Sequence, residues 1–230
     1  MTEFFAESVY FGAVISILAY ALGNAIQKKW KFAIFNPLLI AIILVIAVLL
    51  VLGVEYEDYN RGADYITWFL TPATVCFAVP LYEQYERLKK NWRGLLVGSV
   101  AGVVACLLSI LLLSVLFRLS HEQYVSLLPK SITTAIGIAL SGELGGIPTL
   151  TVASIMVTGL FGNIVARGVC RLFRIKEPAA VGLAIGAASH AIGTVRAREI
   201  GEEEGAISGL AIVICGILTV IASLFFAGLY

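Results

Sequence analysis

Long apolar runs separated by short charged clusters dominate the sequence. A helix of about 20 apolar residues can cross a bilayer, because the hydrocarbon layer is about 30 Å thick and each helical residue rises 1.5 Å. The polar segments between the runs are too short to form a soluble domain. The runs predict spanning helices at 5–26, 36–53, 94–117, 147–165 and 206–229.

Three further apolar runs are interrupted and predict shorter or broken elements. Residues 65–85 contain Pro72 and Pro80, each of which removes a backbone donor, so this run predicts a broken helix. Pro129 predicts the start of a half-helix of about a dozen residues, which the sequence GELGGIP ends. Residues 182–197, GLAIGAASHAIGTVRA, form another short apolar piece. The charged stretch EYEDYNRGAD is expected to be a solvated loop.

The chain shows a weak internal similarity when it is shifted by 111 residues. This shift lays Pro37 over Pro148 and Gly94 over Gly205, so that one offset aligns two clean helices of each half. The identity is sparse, but a single ungapped offset accounts for both matches. The sequence therefore predicts a duplication.

The charges of the loops predict how the two halves are related. Two basic loops flank an acidic one in the first half, whereas the middle loop is the basic one in the second half. We therefore expect an all-α polytopic membrane protein of two inverted-topology repeats with discontinuous, broken or re-entrant helices, as in many secondary transporters. The repeats cover about residues 5–117 and 127–229 of a single membrane domain, 1–230. Each half shows four apolar pieces, so one is re-entrant or a crossing is unrecognised.

Composition supports the membrane assignment and excludes other classes. The chain is 60% hydrophobic, with a mean hydropathy of +0.95 and a net charge of +1, which excludes a soluble domain and a nucleic-acid-binding one. The four cysteines and two histidines are too scattered for a metal site. No nucleophile, metal-protease or phosphate-loop motif is found. We expect no enzyme activity, no metal and no cofactor.

A first polar cluster stands in the stretch LPKSITTA. If Pro129 starts a helix, the unpaired amides of its first turn lie beside an ammonium and several hydroxyls, which is a favourable site for an anion. The same pattern also caps ordinary helices, so both interpretations stay open. The candidate binding residues are Lys130, Ser131, Thr133 and Thr134.

A second polar cluster interrupts the apolar piece at 182–197. A charge at the bilayer centre costs about 2.5 to 3.5 kcal/mol or more, so such groups usually face a cavity or a partner. The alternative is that His190 and Arg196 lie at an interface and reach water. The candidate binding residues are Ser189, His190, Thr194 and Arg196, with Pro80 and Tyr82 shaping the opposing break.

Four long motifs give the chain a family resemblance. They are NPLLIAIILVI, PATVCFAVPLYEQ, LPKSITTAIGIALSGELGGIP and GLAIGAASHAIGTVRAREIGEEEGAISGLAIVICGILT. Together, and in this order, they resemble the LrgB/CidB family of antiholin-like proteins, or murein hydrolase export regulators, of the bacterial cell (inner) membrane. The resemblance implies an LrgA/CidA-type membrane partner, a link to autolysis, and transport of pyruvate or glycolate.

The resemblance and the polar clusters together predict a secondary transporter of small monocarboxylates such as pyruvate, lactate or glycolate. The two clusters would hold the carboxylate, and His190, whose unperturbed pKa of about 6.5 lies near working pH, would carry a coupling proton. The protein would work in the lipid bilayer as a homo-oligomer with its LrgA/CidA-type partner. The alternative is a holin-like regulator of murein hydrolase export that transports nothing itself.

Overall fold

The computed structural model describes residues 8–30, 35, 37–69, 72, 75, 79, 82 and 85–230, apart from the side chains of residues 87, 88, 90 and 91. Within these residues the chain forms nine α-helices and no strand. It divides into two compact units, Met1–Ala78 and Val79–Tyr230. Pro80 and most of the predicted broken helix at 65–85 lie outside the described residues.

In the first unit, the described residues include three helices: α1 (Phe11–Trp30), α2 (Pro37–Leu52) and α3 (Tyr56–Thr67). The helix α2 confirms the apolar run at 36–53 as a helix. The prediction of a solvated loop between the apolar runs is wrong, because its charged residues form most of α3.

Two kinds of contact explain why this charged stretch is helical. Arg61 donates to Asp58 at 2.7 Å, one turn away along the helix, which is the spacing at which opposite charges support a helix. Gly62 also packs directly on α1, since a Cβ added there would lie 2.6 Å from the Gly12 nitrogen. The high proportion of charged residues in this stretch, on which the loop prediction was based, does not reveal either contact.

From residue 85 onward, where the structure describes the chain without a gap, the second unit forms six helices. They are α4 (Tyr85–Phe117), α5 (His121–Leu127), α6 (Thr134–Glu143), α7 (Pro148–Leu172), α8 (Pro178–Ile200) and α9 (Glu202–Phe226), followed by a 3-10 turn (Ala227–Leu229). Among the residues that the structure describes, four stretches are long and apolar enough to cross a membrane: Trp92–Phe117, Pro148–Leu172, Pro178–Ile200 and Glu202–Leu229. The chain is a multi-pass membrane protein.

The helices α5 and α6 lie antiparallel, with a sharp turn between them. A Cβ added to Gly137 would lie 3.6 Å from that of Pro129, and one added to Gly146 would lie 2.9 Å from the Ser126 hydroxyl. The prediction that the half-helix starts at Pro129 is wrong, because α6 begins at Thr134. Hydrogen bonds across residues 127–132 close a turn there instead.

The helix α8 folds back on itself at His190. This residue has φ 41° and ψ −140°, which are not helical values. A Cβ added to Gly193 would lie 3.1 Å from Cγ2 of Ile185, and Val181 and Ala197 share one buried cluster. The arms 178–189 and 191–200 therefore run antiparallel, and each is too short to cross a bilayer alone.

The helices α4 and α9 run in the same direction. Leu95, near the start of the α4 span, packs with Ile207 near the start of α9. At the other end, Tyr230 lies beside α4 and donates to the Ser114 carbonyl at 3.3 Å.

This orientation contradicts the predicted inversion of the two helices that the 111-residue shift relates. Both fold-backs return the chain to the end at which they begin, so α7 alone separates α4 from α9 and leaves them parallel. The charge pattern misled because acidic residues, such as Glu202, Glu203 and Glu204 here, have little influence on orientation in membranes.

Candidate functional site

A cavity of about 540 Å³ lies between α4 and α8. Its polar lining consists of Lys130 and Ser131 from the α5–α6 turn together with Cys106 and Ser109 of α4. The remaining lining is mostly glycine and alanine, so the chamber is apolar apart from this one side. Among the described residues that line it there is no acidic side chain.

Lys130 carries the positive charge of the cavity. Its ammonium donates to the Ser131 hydroxyl at 3.1 Å, and that hydroxyl lies 3.5 Å from the Cys106 sulfur. Cys106 is near the middle of the 26-residue candidate span Trp92–Phe117. The ammonium therefore lies near mid-depth, where a charge is costly and usually functional.

The turn that presents Lys130 is fixed by its own backbone and by buried neighbours. The Lys130 nitrogen donates to the Leu127 carbonyl at 3.0 Å, and the Ile132 nitrogen donates to the Pro129 carbonyl at 3.2 Å. Leu128 and Ile132 are fully buried on either side of it. The apolar neighbours thus hold the turn between α5 and α6 in place, and the Lys130 side chain extends into the cavity.

The helices α5 and α6 and the turn between them, here called the α5–α6 hairpin, are hydrogen-bonded to α7 through buried hydroxyls. The Thr151 hydroxyl lies 2.7 Å from that of Ser141 and 2.9 Å from the Ser126 carbonyl. The Ser126 hydroxyl in turn accepts from the Ile147 nitrogen at 2.7 Å. These bonds join α5, α6 and the start of α7, so the tip is held against a long helix.

Thr133 and Thr134 follow the cavity residues directly. Thr133 is the N-cap of α6, but its side chain makes no capping bond. The first-turn amides of a helix have no partner within it. In α6 these amide donors therefore lie next to the turn that carries Lys130. Both threonines are half-buried.

Ser189 and His190 lie at a close crossing of α8 with α7 rather than in the lining of the cavity. Both are almost fully buried. His190 Nε2 lies 3.0 Å from the Ile155 carbonyl oxygen, and its ring packs over Gly159. A Cβ on Gly162 would occupy the place of the Ser189 hydroxyl.

Thr194 links the second arm of α8 to α9. Its hydroxyl donates to the His190 carbonyl at 3.0 Å and is paired with the Ser208 hydroxyl of α9 at 2.7 Å. Both bonds are buried, so this polar side chain is satisfied in a water-poor environment.

The structure does not bring the remaining candidates into the cavity. Arg196 is ion-paired with Glu199 one turn along the second arm of α8, and its Nε is buried without a hydrogen-bond partner among the described residues. Tyr82 is exposed, and Pro80 lies outside the described residues.

The two predicted clusters nevertheless meet. Lys130 and Ser131 share the cavity with Ala187 and Ala188, which directly precede Ser189. The sequence reasoning missed Cys106 and Ser109, whose spacing on α4 places them on one helix face, because an isolated thiol or hydroxyl in an apolar span carries no distinctive pattern.

A metal site is not evident in the described part of the chain, where no three His, Cys, Asp or Glu side chains cluster. The cavity offers a cation and hydroxyls instead, and these donors suit an anion rather than a metal.

Comparisons with known proteins agree over nearly the whole length. Residues 16–229 match the family described as LrgB, LrgB-like family. The chain is 37% identical over 215 residues to "Antiholin-like protein LrgB" of Bacillus subtilis (strain 168), covering 93% of each chain. It is 37% identical over 213 residues to the protein of the same name in Bacillus cereus (strain B4264), covering 92% of this chain and 93% of that one. No solved structure matches.

The packing of Ser189 on Gly162 predicts a large effect for a small change. Gly162→Ala should lower the melting temperature in detergent, because the added methyl overlaps the Ser189 hydroxyl and overpacking costs about 1 to 3 kcal/mol. Gly168→Ala, on the same helix but in open space, is the matched control and should not destabilise. Adding Ser189→Gly to Gly162→Ala should restore the melting temperature. Equal melting temperatures for the two alanine variants would contradict this packing.

Proposed function

The chain belongs to the LrgB-like family, and from that premise we propose that it is a secondary transporter of small monocarboxylates of the pyruvate, lactate and glycolate class. The observation that carries the proposal is the Lys130 cavity, which places one cation in an otherwise uncharged chamber near mid-depth of the α4 span. We propose no enzymatic step, since the role needs only binding and movement.

The chemistry of the cavity favours a small acid with one charge. One carboxylate would neutralise Lys130 and accept from Ser131, and charge-assisted bonds of this kind are the strong ones. The glycine and alanine lining suits a short apolar remainder. A second carboxylate would find no further cation among the described lining residues and would keep its desolvation cost.

The architecture supports movement of a substrate across the bilayer. We infer that the α5–α6 hairpin and the α8 hairpin enter the membrane from opposite sides, because their tips converge on one cavity from opposite ends of α7. The inverted units are then α5–α7 and α8–α9, each a hairpin followed by a span, in place of the halves related by 111 residues. Broken helices that meet near the midplane are typical of secondary transporters.

His190 is proposed as the carrier of a coupling proton. It lies at the tip of the α8 hairpin, bonded to the Ile155 carbonyl, and Ala187 and Ala188, just before it in the chain, line the Lys130 cavity. In this proposal the imidazole takes up a proton as the carboxylate binds in the cavity. This coupling links substrate binding to a proton gradient without a further residue.

The alternative is a regulator of murein hydrolase export that carries nothing itself, and the name "antiholin-like" of the relatives favours it. In either case we propose an LrgA/CidA-type membrane partner and a homo-oligomer. One observation speaks against a pore assembled through glycine faces. Gly98 and Gly102 pack against Leu183 and Ala187 within the chain itself, so they are already occupied.

Replacing Lys130 tests the proposed binding site. Lys130→Gln should lower the initial uptake of labelled pyruvate into proteoliposomes about ten- to hundredfold, because a hydrogen bond to a charged group contributes about 1.5 to 3 kcal/mol. Lys176→Gln, at an exposed position between α7 and α8, is the matched control and should transport normally. Saturable uptake unchanged in Lys130→Gln would reject this site. No uptake by the folded wild-type chain, with or without its partner, would favour the regulator.

Replacing His190 tests the coupling separately. His190→Gln keeps a side chain that can bond to the Ile155 carbonyl but removes the titratable ring. We expect pyruvate exchange at equal pH on both sides to continue, while the stimulation of net uptake by an acid gradient is lost. Stimulation that persists in His190→Gln at wild-type strength would assign the proton to another group.

A further inference from the structure

A second cavity adjoins the Lys130 cavity along the groove between α4 and α8. It has a volume of about 560 Å³. It is lined by Trp92 and Arg93 at the start of the α4 span and by Glu177 just before α8. Ala180 and Leu183 line both cavities. The second cavity, here called the vestibule, therefore leads from the start of the α4 span towards the Lys130 cavity.

Leu183 occupies the junction between the two cavities. It packs on Gly98 of α4, where an added Cβ would lie 2.5 Å from a Leu183 methyl group. Gly94, one turn earlier, has open space around it and lines the vestibule. The Leu183 side chain thus lies where the two cavities adjoin.

The basic residues indicate which membrane face the vestibule adjoins. The start of the α4 span, the end of α7 and the start of α8 lie at one end of the unit, because Leu95 packs with Ala179, and Cys170 with Val181. Lysines and arginines are concentrated at that end: Lys89, Arg93, Arg167, Arg171, Arg174 and Lys176. The connection between α4 and α5, at the opposite end, contains only Arg118, and residues 131–166 contain none.

This distribution assigns the vestibule to the cytoplasmic face, since short cytoplasmic loops carry the excess of lysine and arginine. We propose that the Lys130 cavity is reached from the cytoplasm through the vestibule, that Leu183 is the constriction on this route, and that Arg93 attracts anions at its mouth. The inference rests on the proposed function for the identity of the substrate, but not for the route itself.

Arg93 is suited to this role by its position. It lies at the rim with its guanidinium 5.5 Å from the Trp92 ring centroid, so the ring orients the charge at the mouth. Glu177 lies on the same lining and tempers the attraction, which keeps an anion from being held there. A cation at the mouth of an apolar groove raises the local concentration of anions and therefore their rate of entry.

The native Cys106, which lines the Lys130 cavity, makes the route measurable without any transport assay. In a chain with Cys76, Cys170 and Cys215 replaced by serine, the remaining thiol is exposed to sulfonatoethyl methanethiosulfonate, an anionic reagent that does not cross membranes. Labelling should be at least tenfold faster in inside-out vesicles than in right-side-out vesicles. Equal rates, or faster labelling from outside, would overturn the proposal.

Variants of the route sharpen the test. Leu183→Trp should slow labelling at least fivefold and Leu183→Ala should speed it, whereas Leu112→Trp, at an exposed position on α4, should leave the rate unchanged. Arg93→Gln should slow the anionic reagent about threefold relative to its trimethylammonium analogue. If Leu183→Trp and Leu112→Trp label alike, Leu183 is not the constriction.

The labelling result and the transport result can fail independently. Labelling through the vestibule without pyruvate uptake would support the route and reject the proposed substrate. Pyruvate uptake with Cys106 labelled only from outside would support the transporter and reject the route.

Discussion

The backbone reversal at His190 is the constraint on which the second unit depends. A non-glycine residue at φ 41° costs on the order of 1 to 3 kcal/mol and persists only where its surroundings enforce it. Here the imidazole lies against the Ile155 carbonyl, Gly162 leaves room for Ser189, and the Thr194 hydroxyl is paired with the Ser208 hydroxyl of α9. These buried contacts with α7 and α9 hold the reversal in place.

The reversal also determines where the polar chemistry lies. Because the first arm of α8 stops short of a crossing, its alanine-rich end lies opposite the Lys130 turn, and the space between them becomes the cavity. The α5–α6 hairpin also stops short of a crossing, and the Ser126, Ser141 and Thr151 hydroxyls hold it against α7. Two half-length elements thus present an ammonium and a histidine at a depth that continuous helices reserve for apolar side chains, which is the physical reason to propose binding of a small acid.

Sequence patterns predicted the apolar helices and three interrupted pieces, one of which, at 65–85, lies mostly outside the described residues. Both polar clusters, at Lys130 and at His190, fall at a reversal of the chain, because a polar residue in an apolar run marks a place where packing differs from a simple span. The pattern predicted broken or re-entrant pieces, but it did not show which of them fold back. At α8 the fold-back depends on the backbone conformation of His190 and on glycines of α7 that are distant in sequence.

The same limit applies to the binding site and explains the error in the orientation. The sequence predicts Thr194 and Arg196 as binding residues, and in the structure Thr194 is paired with Ser208 and Arg196 with Glu199. Cys106 and Ser109 become part of the cavity only because Gly98 and Gly102 allow α8 to approach α4. Tertiary contacts of this kind, rather than local propensity, determine which polar groups face the cavity, so the assignment of substrate contacts stays a prediction.

The most direct measurement of the account is a disulfide between Val181→Cys and Ala197→Cys in a chain without native cysteines, formed by mild oxidation in membranes. The fold-back places both residues in one buried cluster and predicts rapid cross-linking. The control pair Leu150→Cys and Ala166→Cys has the same separation on the unbroken α7 and should not cross-link, since 16 helical residues span about 24 Å. If the first pair also fails to cross-link in folded protein, the segment is a straight crossing and the central cavity does not exist as described.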